Sequence, residues 1–364
     1  MQLQKICIQA YCLPLRQAWR SASASFDVRR GFLVTVEDDA GRKGYGDCAP
    51  LAGTESEAQA KHWLSEQCPT LTGLQTDAAL KNLPAPDHCP PAARCGLETA
   101  LLDLISRQHQ LPLYRWLEPK ASASVKVNVN LGSLDKETNT RLAAAAGFSI
   151  VKLKVGLLPV SQDIDNLQRL AKALPDAISL RLDANQAWNR EQARRFIAGI
   201  ANLPVECLEE PLHDPDLKEL EQLQKLAPFP LALDESLTQL SHADILSQKP
   251  VARLVLKPML LGGLQAALSL GQKAHRAGLE SLVTTTVDSA VGSWAAVHLA
   301  AALNAGSHAM SHGLATSSWL SRDIAPPPVI RDGRIILGEN AGLGIEPSKQ
   351  RSGSCRTSLS LNIV

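Results

Sequence analysis

The stretch ISLRLDAN, Ile178–Asn185, decides the fold of this 364-residue chain. It is an apolar run of strand length that ends in the polar residues Asp183 and Asn185, and the amphipathic stretch Arg190–Ile200 follows it. Neighbouring stretches repeat this order of strand and helix at about 25 residues per unit. Strands that are each followed by a helix are predicted to be parallel, because the helix returns the chain to the end of the sheet at which the strand began.

The strand-like runs of this repeat number seven, and amphipathic stretches such as Asp163–Ala173 and Leu264–Ala277 separate them. The runs are Val125–Asn130, Ile150–Val155, Ile178–Ala184, Glu206–Glu209, Pro230–Asp234, Arg253–Pro258 and Leu282–Thr286. An eighth strand is expected near Ala309–Ala315. No GxGxxG or GxxxxGK(S/T) motif follows any run, which disfavours a doubly wound nucleotide-binding sheet. The pattern therefore predicts the α/β class and a modified TIM barrel with seven regular β/α units.

The first 120 residues have a different pattern, which predicts an α+β capping domain because strands come first and helices follow. The stretch Arg16–Arg30 is rich in Ser, Ala and Arg and has no clear period. The predicted strands are Ile6–Cys12, Gly31–Glu37 and Lys43–Cys48, the predicted helices are residues 56–68 and Ala92–Gln108, and Thr70–Pro91 is predicted to be a loop.

Three regions follow from these patterns: a capping domain at residues 1–120, a barrel at 121–325 and a C-terminal segment at 326–364. In the C-terminal segment, Pro326–Gly342 is expected to form a loop and a hairpin that returns to the capping domain. The tail after Pro347 is expected to be loosely held, as polar chain ends often are.

Composition excludes several functional classes. Hydrophobic residues make up 45% of the chain, and 37 Lys and Arg balance 36 Asp and Glu, which gives a net charge of +1. This balance argues against nucleic acid as a partner, and no apolar run approaches the roughly 18 residues of a membrane-spanning helix. Eight cysteines without a CxxC pair, and a strand-like start instead of a secretory segment, predict a cytoplasmic protein with reduced thiols. The pattern does not indicate an oligomeric state.

Three acids stand at the ends of consecutive predicted strands. Asp183, Glu209 and Asp234 are 26 and 25 residues apart, which is one β/α unit each. The carboxyl ends of barrel strands meet at one rim, so the three side chains are expected to lie together. Unpaired carboxylates repel one another, and an all-oxygen set suits Mg²⁺ or Mn²⁺. The alternative for each acid alone is an ion pair with a nearby Lys or Arg, but the regular spacing favours the metal site.

Lysines complete this rim. Lys152 and Lys154 share one face of the second barrel strand, and Lys257 ends the sixth strand on the other side of the barrel. A lysine acts as a base when its pKa is lowered, and both a neighbouring ammonium group and a divalent cation act in that direction. Lys154 and Lys257 are therefore predicted to flank the metal, instead of lying exposed on loops.

These residues resemble the enolase superfamily, in particular its muconate-lactonizing-enzyme subgroup. The matching motifs are Lys152-Leu153-Lys154, Asp183-Ala184-Asn185, Glu209-Glu210-Pro211, Asp234-Glu235-Ser236 and Lys257-Pro258. Gly44–Leu51 is similar to the loop of the capping domain that closes on substrate, and Leu97–Asp103 to the helix after it. Asp47 is a departure, since the family more often has Glu there, and it is expected to lie in the loop.

The resemblance implies roles for these positions. It places the ligands of Mg²⁺, or Mn²⁺, on Asp183, Glu209 and Asp234, the catalytic pair on Lys154 and Lys257, and the auxiliary lysine on Lys152. The shared step is removal of a proton α to a carboxylate, which gives an enediolate, and the partner is a small-molecule carboxylate. The expected substrate-binding residues are Lys152, Asn185, Thr284 and Thr285.

Two further stretches refine the reaction that the resemblance implies. Ala309–Ala315 has no acid, whereas dipeptide epimerases of the subgroup carry Asp-x-Asp there to hold the substrate amine. Thr284–Gly292 and His312–Thr316 are instead similar to o-succinylbenzoate synthases. Small hydroxyls and backbone N–H groups suit a remote carboxylate, although the Thr run also fits ordinary strand propensity. The expected reaction is a metal-dependent dehydration, and the alternatives are an N-succinylamino acid racemase, a dipeptide epimerase, a cycloisomerase or a non-catalytic barrel.

Overall fold

The computed structural model describes residues 1–20, 25–51, 53–135, 138, 142–306, 309–348 and 361–363. Within these residues, an N-terminal α+β unit packs on a barrel of parallel strands, as the sequence predicts. None of the helices that the structure describes is both long enough and apolar enough to cross a membrane.

An antiparallel sheet and four helices form the N-terminal unit. The strands are β1 (Leu3–Arg20), β2 (Ser25–Asp38) and β3 (Lys43–Cys48), in spatial order β1-β2-β3. The helices are α1 (Glu57–Leu71), α2 (Thr76–Lys81), α3 (Pro91–Gln108) and α4 (Leu113–Leu117). The sheet lies very close to α3, because a Cβ on Gly46 would stand 1.9 Å from the carbonyl oxygen of Gly96.

The barrel is built from β4 to β12. The strands are β4 (Ser124–Val127), β5 (Val129–Ser133), β6 (Ile150–Lys154), β7 (Ser179–Asp183), β8 (Val205–Glu209), β9 (Leu231–Leu233), β10 (Arg253–Leu256), β11 (Glu280–Val283) and β12 (Ser311–His312). Strands β5 to β11 form one seven-stranded sheet in chain order. A bridge from Thr284 to Gly313 and the pairing of β12 with β4 close the ring, because β4 runs directly into β5.

Helices cover the outside of this ring. They are α5 (Val160–Ala173), α6 (Arg190–Ile200), α7 (Leu217–Leu226), α8 (His242–Gln248), α9 (Pro258–Leu261), α10 (Leu264–Ala277) and α11 (Ala290–Asn304). Helix α6 begins with a capping box between Asn189 and Gln192, and it buries Phe196 and Ile197. The amphipathic helices α5, α6, α7 and α10 bury one face each against the strands, whereas α11 is almost entirely buried. The rim of the barrel remains for polar residues.

The C-terminal segment contacts both domains. Strands β13 (Ile330–Arg331) and β14 (Arg334–Ile336) form the predicted hairpin, but β14 pairs with β4 of the barrel. The chain then returns to the capping domain, where the carbonyl oxygen of Gly342 accepts a hydrogen bond from the backbone N–H of Leu113. The tail predicted to be loose falls largely on residues 349–360, which lie outside the described residues, and β15 (Leu361–Ile363) pairs with β1.

Three sequence interpretations need correction. Arg16–Arg30 has no periodic pattern, yet β1 continues through Arg20 and β2 starts at Ser25. The two strands are held here by pairing with each other, which does not require alternating apolar residues. Thr70–Pro91 is not only a loop, since it contains α2. Asp47 lies within β3, not in a loop, and it is buried.

Candidate active site

Strand register places the predicted residues side by side at the carboxyl rim. Lys154 is aligned with Asp183 between β6 and β7, and Asp183 is aligned with Glu209 between β7 and β8. Asp234 directly follows β9, and Lys257 directly follows β10. Polar residues that end neighbouring parallel strands therefore converge at one site, as the unit spacing predicts.

The three acids form a compact buried group. One carboxylate oxygen from each of Asp183, Glu209 and Asp234 lies within 4.8 Å of the others. Glu209 Oε1 and Asp234 Oδ1 are buried without a hydrogen-bond partner among the described residues. A buried carboxylate oxygen without a donor is unfavourable, and a divalent cation supplies what these oxygens lack. The donor set therefore fits Mg²⁺ or Mn²⁺.

Lys152 lies between two of the acids. Its Nζ is 2.9 Å from Asp183 Oδ2 and also contacts Glu209 Oε2. Burial by itself lowers the pKa of Lys152, but the charges of Asp183 and Glu209 outweigh it and raise the pKa above its usual value. Lys152 thus carries a positive charge beside Asp183 and Glu209 at neutral pH, and it offsets part of their negative charge.

Lys154 lies in a different environment. Only 6% of the residue is exposed, and its Nζ lies 4.1 Å from the centroid of the Trp19 ring. Burial lowers the pKa of Lys154 to about 8; Asp183 opposes this, and the charges of Lys152 and Lys257 add to it. An amine with this pKa is partly neutral near pH 8, which is what a general base requires.

Lys257 is paired on the other side of the acids. Its Nζ donates to Asp234 Oδ2 at 2.6 Å. Burial by itself lowers the pKa of Lys257, but Asp234 and Glu235 raise it above its usual value. Burial raises the pKa of Asp234 to about 6 in spite of this partner. The pKa of Lys257 is therefore raised and that of Lys154 is lowered. Lys257 suits the role of a positively charged group, and Lys154 suits the role of a base.

A cavity of about 580 Å³ joins these groups. All nine predicted site residues line it, namely Lys152, Lys154, Asp183, Asn185, Glu209, Asp234, Lys257, Thr284 and Thr285. Asn185 donates to Glu235 Oε1 at 2.8 Å, and Thr285 Oγ1 lies 2.6 Å from Thr316 Oγ1. Thr284 lines the cavity, and its Oγ1 is buried without a hydrogen-bond partner among the described residues.

Sequence reasoning missed several residues of the site. Trp19 and Phe26 of the capping domain line the cavity and stack with their ring centroids 5.0 Å apart. Both lie in the stretch without periodicity, so no sequence signal separates them from surface residues. Glu210 supports the site, because its carboxyl group accepts hydrogen bonds from the backbone N–H of Asp234 and from the hydroxyl group of Ser236. Burial raises the pKa of Glu210 to about 8.

Comparison with known proteins agrees with this geometry. The sequence profile of the family described as "Enolase C-terminal domain-like" matches residues 136–351, which is more than half of the chain. The chain belongs to the enolase superfamily. It is therefore an enzyme of this superfamily, and the resemblance of the five rim motifs is confirmed at that level.

Relatives in the superfamily match most of the chain. A hydrophobic dipeptide epimerase of Enterococcus faecalis is 27% identical over 95% of this chain and 99% of its own. An N-succinyl-L-Arg/Lys racemase of Bacillus cereus is 26% identical over 95% of each chain. Muconate cycloisomerases are similar at 25% and 26% identity.

The fold agrees as well. The crystal structure of the dipeptide epimerase from Enterococcus faecalis, complexed with Mg and the dipeptide L-Leu-L-Tyr, superposes with a TM-score of 0.85 at 25% identity. The alignment covers 95% of this chain and 99% of that one. Different reactions are thus carried out on one scaffold, and the reaction of this chain is a question about its cavity.

Proposed function

We propose that this enolase-superfamily enzyme is an o-succinylbenzoate synthase. The reaction is the syn dehydration of 2-succinyl-6-hydroxy-2,4-cyclohexadiene-1-carboxylate to o-succinylbenzoate, a step in menaquinone or phylloquinone biosynthesis. The observation that carries the proposal is the chemistry of the cavity wall at Thr284–Thr286, Gly313 and Thr316. Four of these five residues carry a hydroxyl group, and hydroxyl groups suit the remote carboxylate of a succinyl group.

Carboxylates lie elsewhere in the cavity. Among the described lining residues they are Asp183, Glu209, Asp234 and Glu235, all on the β7–β9 side. A substrate ammonium group at the wall of Thr residues would meet no carboxylate there among the described lining residues, because Asp288 does not line the cavity and is bonded to Thr286. A buried charge without a partner is unfavourable. The cavity wall therefore favours a substrate with a distal carboxylate over a dipeptide with a free amine.

The lysines account for the proton transfers. Neutral Lys154 takes the proton α to the substrate carboxylate and then returns it to the leaving hydroxide, so that one molecule of water departs. Lys257, held as a cation beside Asp234, stabilises the negative charge of the enediolate. Asp183, Glu209 and Asp234 would hold the divalent cation, which when bound neutralises charge that develops on the carboxylate oxygens.

Racemization of N-succinylamino acids is the second candidate. It needs an acid and a base on opposite faces of the α-carbon, and the rim offers Lys154 on β6 and Lys257 after β10. The Bacillus cereus relative carries a racemase name, which gives this candidate specific support. A dipeptide epimerase or a cycloisomerase would use the same rim residues, but the wall of Thr residues favours neither.

The deciding experiment compares two substrates on one enzyme preparation with Mg²⁺. The cyclohexadiene carboxylate is followed by the loss of its diene absorbance, and N-succinyl-L-amino acids by loss of optical rotation and by solvent-deuterium exchange at Cα. A kcat/KM for dehydration at least tenfold above that for racemization supports the synthase. The reverse ratio would assign the racemase, and Lys154→Ala serves as the inactive control for both assays.

A further inference from the structure

The loop between β11 and α11 contains a strained residue. Val287 has a φ of 63°, a left-handed conformation that is unfavourable for an L-residue and most of all for a β-branched one. Only 4% of this residue is exposed, and it lines the cavity next to Thr284–Thr286. A conformation of this kind persists only where surrounding contacts hold it.

Arg29 of the capping domain supplies such contacts. Its guanidinium group donates from Nε to the carbonyl oxygen of Val287 at 3.3 Å and from Nη2 to Thr286 Oγ1 at 3.2 Å. The same group donates to the carbonyl oxygens of Ala49, at 2.5 Å, and of Pro50. Arg29 is 4% exposed, and its hydrogen bonds join β2, the segment after β3 and the strained barrel loop.

Further contacts fix both sides of the strained residue. Asp288 Oδ1 accepts from Thr286 N–H at 3.1 Å and from Thr286 Oγ1 at 2.5 Å. Asp47 Oδ2 accepts from Ser289 N–H at 2.9 Å and from Ser289 Oγ at 2.8 Å. The loop is thus held between two buried residues of the capping domain, Arg29 and Asp47, whose exposed fractions are 4% and 1%.

We propose that Arg29 is a positioning residue that holds Val287 in its left-handed conformation and thereby orients the Thr284–Thr286 wall toward bound substrate. Arg29 does not line the cavity and acts through Val287 and Thr286. The contacts of Arg29 with Val287 and Thr286 are present without a substrate. Its effect on binding of the distal carboxylate rests on the proposed function.

The first test is the Arg29→Met variant, measured by amide hydrogen exchange of the peptide that contains residues 284–289. We expect exchange in this peptide to accelerate about five- to thirtyfold, because the left-handed conformation is no longer held. The KM for the proposed substrate rises by at least fivefold with a smaller change in kcat, and the affinity for Mg²⁺ stays within twofold. Unchanged exchange in a folded variant would overturn the inference.

A pair of second-site variants isolates backbone strain. Glycine adopts the left-handed conformation readily, so Val287→Gly in the Arg29→Met background should return slow exchange and a low KM. Val287→Ala removes almost the same side chain but keeps the strain, so it should restore neither. Equal behaviour of the two double variants would overturn the proposal.

A second variant at position 29 and the activity of the parent enzyme separate the possible outcomes. If Arg29→Met fails to fold, Arg29→Lys keeps the positive charge beside Asp47 and Asp288 and loses the branched contacts, and the Gly and Ala comparison is repeated on it. If exchange follows the expected pattern but no dehydration is detected in the parent enzyme, the positioning role stands and the proposed function fails.

Discussion

The Nζ of Lys154 lies 4.1 Å from the centroid of the Trp19 indole ring. A strand end of the barrel and a strand end of the capping domain thus meet at the amine that we assign as the base. The indole also stacks on Phe26, so its position is fixed by a second ring. The capping domain therefore does more than cover the cavity, because it contacts the side chain that we propose as the base.

The contact predicts a specific sensitivity to the ring at position 19. The ring face stabilises the ammonium that Lys154 becomes when it accepts the proton, so Trp19→Leu should lower kcat/KM by about two- to thirtyfold, the usual strength of a cation–π contact. Trp19→Phe keeps an aromatic face and should retain more activity than Trp19→Leu. Steady-state kinetics of both variants check this, and equal losses would contradict a role for the aromatic face.

Removal of a proposed metal ligand should abolish turnover without unfolding the barrel. Asp183→Asn, Glu209→Gln and Asp234→Asn each delete one charge from the group whose oxygens lie within 4.8 Å. Metal content by elemental analysis, circular dichroism and activity are measured on the same samples. EDTA should remove the activity of the parent enzyme, and added Mg²⁺ should restore it. Full turnover in a sample free of metal would refute the assignment.

The two lysines should separate elimination from racemization. Lys154→Ala removes the proton acceptor, and loss of a general base costs about 10² to 10⁴ in rate. Lys257→Arg keeps the positive charge near Asp234 but discards proton transfer, so some dehydration should survive while racemization is lost. Both assays are run with solvent-deuterium exchange as the measure of proton abstraction. Near-normal dehydration in Lys154→Ala would mean that the base lies on the other face.

Dipeptides with a free amine should be poor substrates. The wall at Thr284–Thr286 offers hydroxyl groups, and an ammonium group buried against it would cost several kcal/mol. The measurement is kcat/KM for an alanyl-glutamate dipeptide against the succinylated cyclohexadiene. We expect a preference of at least a hundredfold for the latter, and comparable values would remove the reason for choosing the synthase.

Asp47 predicts a pH dependence of stability. Burial raises its pKa to about 7 from an ordinary value of 3.8, and the charge of Asp288 adds to this, while hydrogen bonds from Tyr11 and Ser289 and the charge of Arg29 oppose it. The folded state therefore holds a proton between about pH 4 and pH 7 that the unfolded state has lost. Stability must fall as the pH rises through this range, by up to about 1.4 kcal/mol per unit.

The Asp47→Asn variant tests that dependence. Asn has no proton to release in this range, so the stability of the variant should not fall with the parent protein's between pH 4 and pH 7. The unfolding midpoint of the variant should therefore rise relative to that of the parent protein over this range, and the difference should be constant above pH 7. Thermal unfolding at several pH values measures this difference. The exposed Asp39→Asn change serves as the control and should follow the parent protein throughout. A constant difference for Asp47→Asn from pH 4 to pH 7 would contradict the prediction.

The sequence alone determined the barrel and the set of rim residues. Period-2 and period-3.6 patterns are local, and one β/α unit separates Asp183, Glu209 and Asp234, so neither requires knowledge of distant contacts. Register between neighbouring parallel strands then follows from burial of the same faces, which explains why Lys154 and Asp183 are aligned.

Only the tertiary structure decided how the capping domain meets this rim. The stretch Arg16–Arg30 has no period, because its strands are held by pairing with each other and by contacts with the barrel. Arg29 and Val287 are 258 residues apart in the chain, and Trp19 meets Lys154 across the two domains. Contacts of this kind depend on how two finished domains pack, and no local pattern of residues encodes that packing.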